Sequence, residues 1–293
     1  MNIFEVGVYT QNDEKAYDFC LNNQFIPPGI QHTCCNSVMR VEKNNKSLRY
    51  RCSRCRRSYS IWKDSIFEGI HDVGKFLRLV YLYISRYKIL TASKELDYDK
   101  KAISRWFKKF RKVCGFHIAS NHSKIGGPGH VIEIDETHVW KRKYNRGRHL
   151  TSEAIWIIGG ICRETNEIFL SATTTRDQDT TYRVVKDNVM QDSTIMTDSW
   201  LGYNRLESSN YFHYRINHSQ NFVDPNDRSI HTQKVERLWR DLKANYKRHG
   251  DRDNIHEYLL EYRYFRKYRL LNRFDPFVSC SLSTYRPTPN CLS

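Results

Sequence analysis

The sequence lacks any run of about 18 consecutive apolar residues, the length that a transmembrane helix requires. It also lacks an apolar stretch within residues 1–19, where acidic residues occur early, so we expect no secretory signal. Internal repeats are not found either. The nine cysteines are an odd number, and four of them lie within residues 34–55. This distribution does not suit a disulfide framework, and it favours a reducing compartment with a local metal site.

Acidic residues are scarce relative to basic ones. The 293 residues include 48 Lys and Arg against 32 Asp and Glu, which gives a net charge of +16. The imbalance is uneven, with 23 basic against 11 acidic residues in 1–130 and 25 against 21 in 131–293. Such an excess favours a polyanionic partner, nucleic acid first, and a basic surface that only improves solubility is the alternative.

Changes in composition divide the chain into segments. The stretch 120–129, which contains a Gly-Gly-Pro-Gly run at 126–129, is the clearest linker signal, so we place a domain boundary there. The expected parts are an N-terminal segment at 1–30, a zinc-ribbon-like module at 31–70, a helix-turn-helix region at 71–120, an α/β domain at 130–272 and a C-terminal tail at 273–293. Three prolines follow Phe274, and we expect that part of the tail to be poorly ordered.

A possible zinc site lies in the second segment. Cys52 and Cys55 form a C-x-x-C pair, which supplies two thiolates to a tetrahedral zinc ion. The upstream half is irregular, because Cys34 and Cys35 are adjacent and such neighbours rarely bind one ion together. Either His32 with Cys35 replaces the first pair, or Cys34 serves instead, or the thiols are ordinary buried groups without metal. A zinc ion here would stabilise the fold and would not perform chemistry.

Three helices are predicted between residues 72 and 118. Apolar residues at helical spacing place them at 75–85, 91–96 and 100–114, and Asp99 would cap the last one. A short helix, a tight turn and a basic helix indicate a helix-turn-helix. Basic residues without any acid occupy the faces of the third helix outside its apolar stripe: Lys100, Lys101, Arg105, Lys108, Lys109, Arg111 and Lys112. We expect this surface to contact DNA, and a solvated surface helix is the alternative.

After the glycine run, apolar and β-branched stretches typical of strands alternate with helical patterns. Strands are predicted at 131–135, 153–162, 167–173, 193–197 and 211–216, and helices at 179–190, 232–248 and 255–270. Asp135 and Asp198 each end a predicted strand, where a buried carboxylate is costly unless a cation compensates it. Glu236 lies on the amphipathic helix. Three such carboxylates together would hold two Mg²⁺ or Mn²⁺ ions about 4 Å apart, although each acid alone is more often structural.

Several short blocks in this half follow one another in a specific order. They cover residues 134–137, 143–148, 156–161, 197–203, 217–219, 222–225 and 231–239. In residues, order and coverage they resemble the catalytic domain of Merlin-type DDE transposases and their bacterial insertion-sequence relatives. The first cysteine pair departs from the usual C-x-x-C of that family, which bears on the zinc and not on the nuclease chemistry.

The resemblance implies an RNase H-like α/β fold, a mixed sheet with flanking helices, preceded by a zinc ribbon and a helix-turn-helix. It implies that Asp135, Asp198 and Glu236 are the catalytic triad and the Mg²⁺ ligands. It further implies binding of transposon ends, metal-dependent cleavage and strand transfer into target DNA. Because two DNA ends must be handled together, we expect a homodimer or a larger assembly.

Other residues of the blocks each have two alternative roles. Lys143, Arg146 and Arg148 would clamp phosphates near the first carboxylate, unless they belong to a solvated hairpin. His218 and His231 lie either near the metals or in satisfied polar contacts.

Two rival functions stay open from the sequence. One is a domesticated DNA-binding protein derived from a transposase, and the other is a metal-dependent nuclease without strand transfer. The compartment depends on the host, namely the nucleus in a eukaryote and the cytoplasm or nucleoid in a bacterium.

Overall fold

The computed structural model describes residues 3–23, 25–31, 35–44, 47–63, 68–70, 72–138, 155–216, 230–246, 254–269, 273–274 and 276–277. The chain divides into two compact units, the first formed by Met1–Ser120 with Tyr268–Ser293 and the second by Asn121–Lys267. Among the helices of these ranges, none is long and apolar enough to cross a membrane.

The first unit begins with two short helices and a small antiparallel sheet. These elements are α1 (Ile3–Tyr9), α2 (Asp13–Asn22), β1 (Gly29–Gln31), β2 (Val38–Asn44), β3 (Ser47–Arg51) and β4 (Ser58–Ser60). The four strands pair in chain order, each antiparallel to the next. The buried side chain of Tyr50 donates its hydroxyl to the carbonyl of Pro27 at 2.7 Å. This hydrogen bond ties β3 to the chain that enters the sheet.

Three helices follow near their predicted positions: α3 (Val73–Ile84), α4 (Ile89–Leu96) and α5 (Lys100–Ser120). Asp97 takes a left-handed conformation with φ of 48° and ends α4. Asp99 caps α5 as predicted, because its Oδ2 accepts the backbone N–H of Ala102 at 3.0 Å. The helix extends beyond the predicted 100–114 because its buried stripe continues to Ile118. Three helices are confirmed, and their identity as a helix-turn-helix stays a prediction.

Aromatic rings form much of the core of the first unit. Phe76 and Tyr83 of α3 lie edge to face against Phe110 of α5, with ring centroids 5.8 and 5.3 Å apart. Phe277 packs on Phe110 at 5.5 Å and on Tyr83 at 5.9 Å. Phe274 and Phe277 are 1% and 0% exposed. The tail that was expected to be poorly ordered after Phe274 thus contributes Phe277 to this core, since burial of an aromatic ring is strongly favourable.

A five-stranded mixed sheet organises the second unit. Its strands are β6 (Val131–His138), β7 (Trp156–Cys162), β8 (Ile168–Thr173), β10 (Thr194–Asp198) and β11 (Phe212–Ile216). The order across the sheet is β11-β10-β6-β7-β8. The first three strands along the chain are antiparallel, whereas β10 runs parallel to both β6 and β11. All five strands lie close to the predicted positions.

Helices cover both faces of this sheet. They are α6 (Gln178–Asn188), a 3-10 helix (Leu201–Ser208), α7 (Gln233–Tyr246) and α8 (Ile255–Lys267). On one face, apolar residues of α7 and α8 pack on β7 and β8 around Trp239. On the other face, α6 and the 3-10 helix pack on β6, β7 and β10 around Tyr203. This mixed α/β arrangement fits the RNase H-like fold that the resemblance implied.

The glycine run is not simply a linker. Its first glycine and the preceding Ile125 form β5 (Ile125–Gly126), which pairs in parallel with β9 (Val189–Met190). Gly126 and Gly127 have φ of 92° and 109°, conformations that side chains disfavour. The N–H of Gly127 donates to the Ser193 hydroxyl at 2.8 Å. The run is therefore hydrogen-bonded into the second unit, and glycine is required by these turns.

Candidate active site and thiol cluster

Asp135 lies on β6 and faces α7. Its Oδ2 accepts the indole N–H of Trp239 at 2.8 Å, so a helix and a strand that are distant in sequence fix the carboxylate. Gly159 on the neighbouring strand makes this approach possible, since a Cβ atom there would come within 2.7 Å of the Trp239 ring. The sequence pattern and the packing together place a partly buried acid against a hydrogen-bond donor.

Asp198 is the last residue of β10, the parallel neighbour of β6. Met196 pairs with Glu133, and the same register continued by two residues brings Asp198 beside Asp135. The backbone N–H of Trp200 donates to Asp198 Oδ1 at 3.1 Å. Two aspartates predicted as site residues therefore lie on adjacent strands of the sheet.

Glu136 is a third acid of this cluster, and the sequence had given it no role. Its Oε2 accepts the hydroxyl of Tyr203 at 2.8 Å, and its Oε1 accepts Arg176 Nη1 at 3.0 Å. The Arg176 guanidinium also lies over the rings of Trp156, at 4.1 Å, and Trp200, at 5.0 Å. The pair of adjacent acids where the predicted strand 131–135 ends was the signal that could have indicated it.

The negative charge of the acid cluster, formed by Asp135, Glu136 and Asp198, is poorly compensated. Burial is the main cause that raises the pKa of Asp135 to about 7, and the charges of Glu136 and Asp198 add to it. The hydrogen bond from Trp239 opposes this shift. Burial also raises the pKa of Glu136, against the hydrogen bond from Tyr203. A divalent cation fits such a set of hard oxygen donors, because it would offset both the burial and the mutual repulsion.

Glu236 lies in the first turn of α7 and is exposed. It is three residues before Trp239, so the two side chains share one side of the helix. Within the described part of the chain, Asp135, Asp198 and Glu236 do not form a group whose carboxylate oxygens all lie within 4.8 Å of one another. The structure brings the two aspartates to adjacent strand positions and places Glu236 on the helix that contacts Asp135.

His231 precedes α7 and is held by polar contacts. Its Nδ1 is 3.0 Å from Arg163 Nη2 and 3.4 Å from Glu133 Oε1. Burial, followed by the charge of Arg163, lowers its pKa. Of its two predicted environments, the described contacts are those of a satisfied polar histidine. His218 lies outside the described residues.

Three cysteine thiols come together in the first unit. The Sγ atoms of Cys35, Cys52 and Cys55 all lie within 4.8 Å of one another, and the first two are 3.4 Å apart. Cys52 directly follows β3, and its Sγ accepts the N–H of Cys55 at 3.4 Å. That contact and the Ser37 hydroxyl, 3.1 Å away, lower the pKa of Cys52 to about 6. Soft thiolates in this arrangement fit zinc.

The other predicted zinc ligands, His32 and Cys34, lie outside the described residues, as do Lys143, Arg146 and Arg148. The basic surface of α5 is described in full. Its exposed members are Lys100, Lys101, Arg105, Lys108, Lys109 and Lys112. Arg111 was expected among them and is instead 8% exposed, because its position on the helix turns it toward the core of the first unit.

Comparison with protein families matches residues 126–269 to a model described as the ISXO2-like transposase domain. The matched region contains Asp135, Asp198 and Glu236, and it covers the whole five-stranded sheet with the helices on its faces. A comparison with curated proteins gave no match.

Proposed function

This chain carries a DDE transposase domain of the insertion-sequence type, and on that premise we propose that it binds transposon ends, cleaves them and joins them to target DNA with Mg²⁺ or Mn²⁺. The observation that carries the proposal is the pair of aspartates on adjacent parallel strands of the matched domain. Burial and neighbouring carboxylates hold the pKa of one of them, Asp135, near 7. Groups with such shifts are frequent at catalytic sites.

In this proposal Asp135, Asp198 and Glu236 would hold the cations. The indole of Trp239 orients Asp135, and the N–H of Trp200 orients Asp198. Bound divalent cations supply Lewis acids for in-line displacement at phosphorus, which suits both cleavage and strand transfer. Without a cation, Asp135 holds its proton up to about neutral pH. Cation binding would therefore displace that proton, and we expect activity to rise with pH near neutrality.

Glu236 is the third ligand in this scheme for a geometric reason. It projects from α7 on the same side as Trp239, which already contacts Asp135. An exposed side chain at this position can move toward the aspartates at little cost, because no tight packing holds it.

The first unit would bind the DNA. We propose that Cys35, Cys52 and Cys55 bind a structural zinc ion, with His32 or Cys34 as the fourth ligand. The exposed basic residues of α5 would contact phosphates and groove as the second helix of a helix-turn-helix. Lys143, Arg146 and Arg148 would add contacts near the scissile phosphate, and two protomers would hold the two ends of the element.

The test is a cleavage and joining assay with duplexes taken from the DNA on both sides of the gene, where terminal inverted repeats are expected. We expect cuts at the repeat ends with Mg²⁺, and joining when a pre-cut 3′ end is supplied. Asp135→Asn and Asp198→Asn should each abolish both reactions. Asp179→Asn is the matched control, because that residue lies on α6 with its side chain 81% exposed and should leave both reactions unchanged.

The outcomes separate the candidate functions. Binding of the ends without any cleavage, in Mg²⁺ or Mn²⁺, would refute the proposal and favour a DNA-binding protein. Cleavage without joining of a pre-cut end would limit the protein to a nuclease. Activity that survives Asp135→Asn would place the chemistry elsewhere.

A further inference from the structure

Glu133 is a buried acid without a part in the reaction as proposed. It lies on β6 two residues before Asp135, and it is 0% exposed. Residues two apart in a strand lie on the same face of the sheet. Glu133 and Asp135 do share the side that faces α7, but the carboxylate of Glu133 is already engaged.

One oxygen of Glu133 holds the beginning of α7. Its Oε2 accepts the backbone N–H groups of Lys234 and Val235 at 2.7 and 3.0 Å. The first N–H groups of a helix lack partners within the helix, so an acid from another element caps α7 here. The charge also interacts favourably with the positive end of the helix. The start of α7 is therefore fixed by a strand that lies about a hundred residues earlier in the chain.

The other oxygen of Glu133 holds the loop between β7 and β8. Arg163 Nε donates to Oε1 at 2.7 Å. The same guanidinium donates through Nη2 to the carbonyl of His231 at 2.6 Å, and Lys234 Nζ donates to the carbonyl of Arg163 at 2.7 Å. Arg163 and Lys234 thus hold the segment that precedes α7 in place next to the Glu133 carboxylate.

We propose that Glu133 is a positioning residue, which fixes the place of α7 so that Glu236 and Trp239 stand correctly against Asp135. The inference rests on the proposed function. One strand carries both Glu133 and Asp135, and one helix carries the capped amides, Glu236 and the indole that binds Asp135. A shift of the helix start would therefore move the third ligand and the Asp135 partner together. Groups that orient metal ligands in this way commonly change metal affinity or activity about 10- to 100-fold when they are replaced.

Two variants divide the contacts of Glu133. In Glu133→Gln, the side-chain carbonyl can still accept the N–H groups of Lys234 and Val235, but its amide N–H₂ would face the Arg163 donor. In Glu133→Ala, all of these contacts are lost. Glu207→Gln is the control, because Glu207 also pairs with an arginine, at 2.7 Å from Arg215, but its side chain is 60% exposed. It removes the same charge from the same unit without touching α7.

The experiment uses the full chain and two readouts. The first is the rate of end cleavage as a function of Mg²⁺ concentration. We expect Glu133→Ala to raise the half-saturating Mg²⁺ concentration about 10- to 100-fold, Glu133→Gln to raise it less, and Glu207→Gln to leave it unchanged. The second readout needs no metal and is the hydrogen exchange of the Trp239 indole N–H and of the Lys234 and Val235 amides. We expect the exchange rates to increase most in Glu133→Ala, less in Glu133→Gln and not at all in Glu207→Gln.

A purely structural role gives a different result. The maximal rate would then fall with the folded fraction, while the half-saturating Mg²⁺ concentration and the Trp239 exchange in the folded protein stay at wild-type values. That result in Glu133→Gln, the variant that keeps the helix cap, would overturn the inference even if Glu133→Ala fails to fold. A wild-type protein that binds the ends and never cleaves them would instead refute the proposed function, and this inference with it.

Discussion

Replacing Asp135 by asparagine should make the metal-free protein more stable at alkaline pH. The pKa of Asp135 is raised from 3.8 to about 7 in the folded protein, mainly by burial and then by the charge of Glu136. The folded state keeps the proton to a higher pH than the unfolded chain does. Stability is therefore lost as pH rises from about 4 to 7, and the cost is complete above pH 7. Asparagine has the same shape, can still accept from Trp239, and never carries the charge.

The magnitude follows from the shift itself. About three pKa units, at 1.36 kcal/mol each, correspond to about 4 kcal/mol. This is an upper value, because Asp135 is only partly buried and retains some solvation. We expect Asp135→Asn to raise the free energy of unfolding of the second unit by about 2 to 4 kcal/mol at pH 8, and to leave it unchanged at pH 4.

The assay is native-state hydrogen exchange of the amides in β6, β7 and β10, which reports the stability of the second unit by itself. Buffers should be freed of Mg²⁺ on a resin and contain no chelator, so that zinc bound in the first unit is kept. Addition of Mg²⁺ at pH 8 should stabilise the wild type and have little effect on Asp135→Asn. Equal stability of the two proteins at pH 8, or a difference that persists at pH 4, would refute the electrostatic reasoning.

Two further predictions concern the first unit. Cys52→Ser should abolish zinc binding and lower the stability of the small sheet, measured as zinc content by mass spectrometry and as thermal unfolding. The control Cys114→Ser changes a buried thiol outside the cluster and should keep its zinc. Equal zinc content in the two variants would contradict the site. Lys108→Ala should weaken DNA binding and reduce the slope of log affinity against log salt concentration by about 1, because one phosphate contact is lost. An unchanged slope would show that this side of α5 faces solvent.

Local patterns predicted the fold of the second unit well because its strands are buried apolar runs. The predicted strand at 167–173 and the observed Ile168–Thr173 differ by one residue, and the alternation around Asp135 gave the start of β6. The short parallel pair of β5 and β9 was missed. Each of these strands is two residues long, and their pairing depends on a glycine turn that closes over a distance in sequence of more than sixty residues.

The site was harder to predict than the fold because it depends on contacts between residues that are distant in the sequence. Glu133 and Asp135 are equivalent in a strand pattern. In the structure, however, Glu133 binds Arg163 and the amides at the start of α7, whereas Asp135 binds Trp239 and lies in the acid cluster. Only contacts about a hundred residues apart in the chain distinguish them. The contacts of Glu136 could not be predicted either, because its partners Arg176 and Tyr203 lie 40 and 67 residues later in the chain.

The aromatic core of the first unit has a consequence for biosynthesis. Phe277 is buried against Tyr83 of α3 and Phe110 of α5, and Phe274 is buried against Phe19 and Phe25. Both rings are translated after the entire second unit. A nascent chain ending at Lys267 would leave Tyr83 and Phe110 partly uncovered, with apolar rings open to water or to other chains. The unit that we expect to hold DNA can therefore complete its packing only after the second unit has been synthesised. Truncated translation products would carry an incompletely packed first unit.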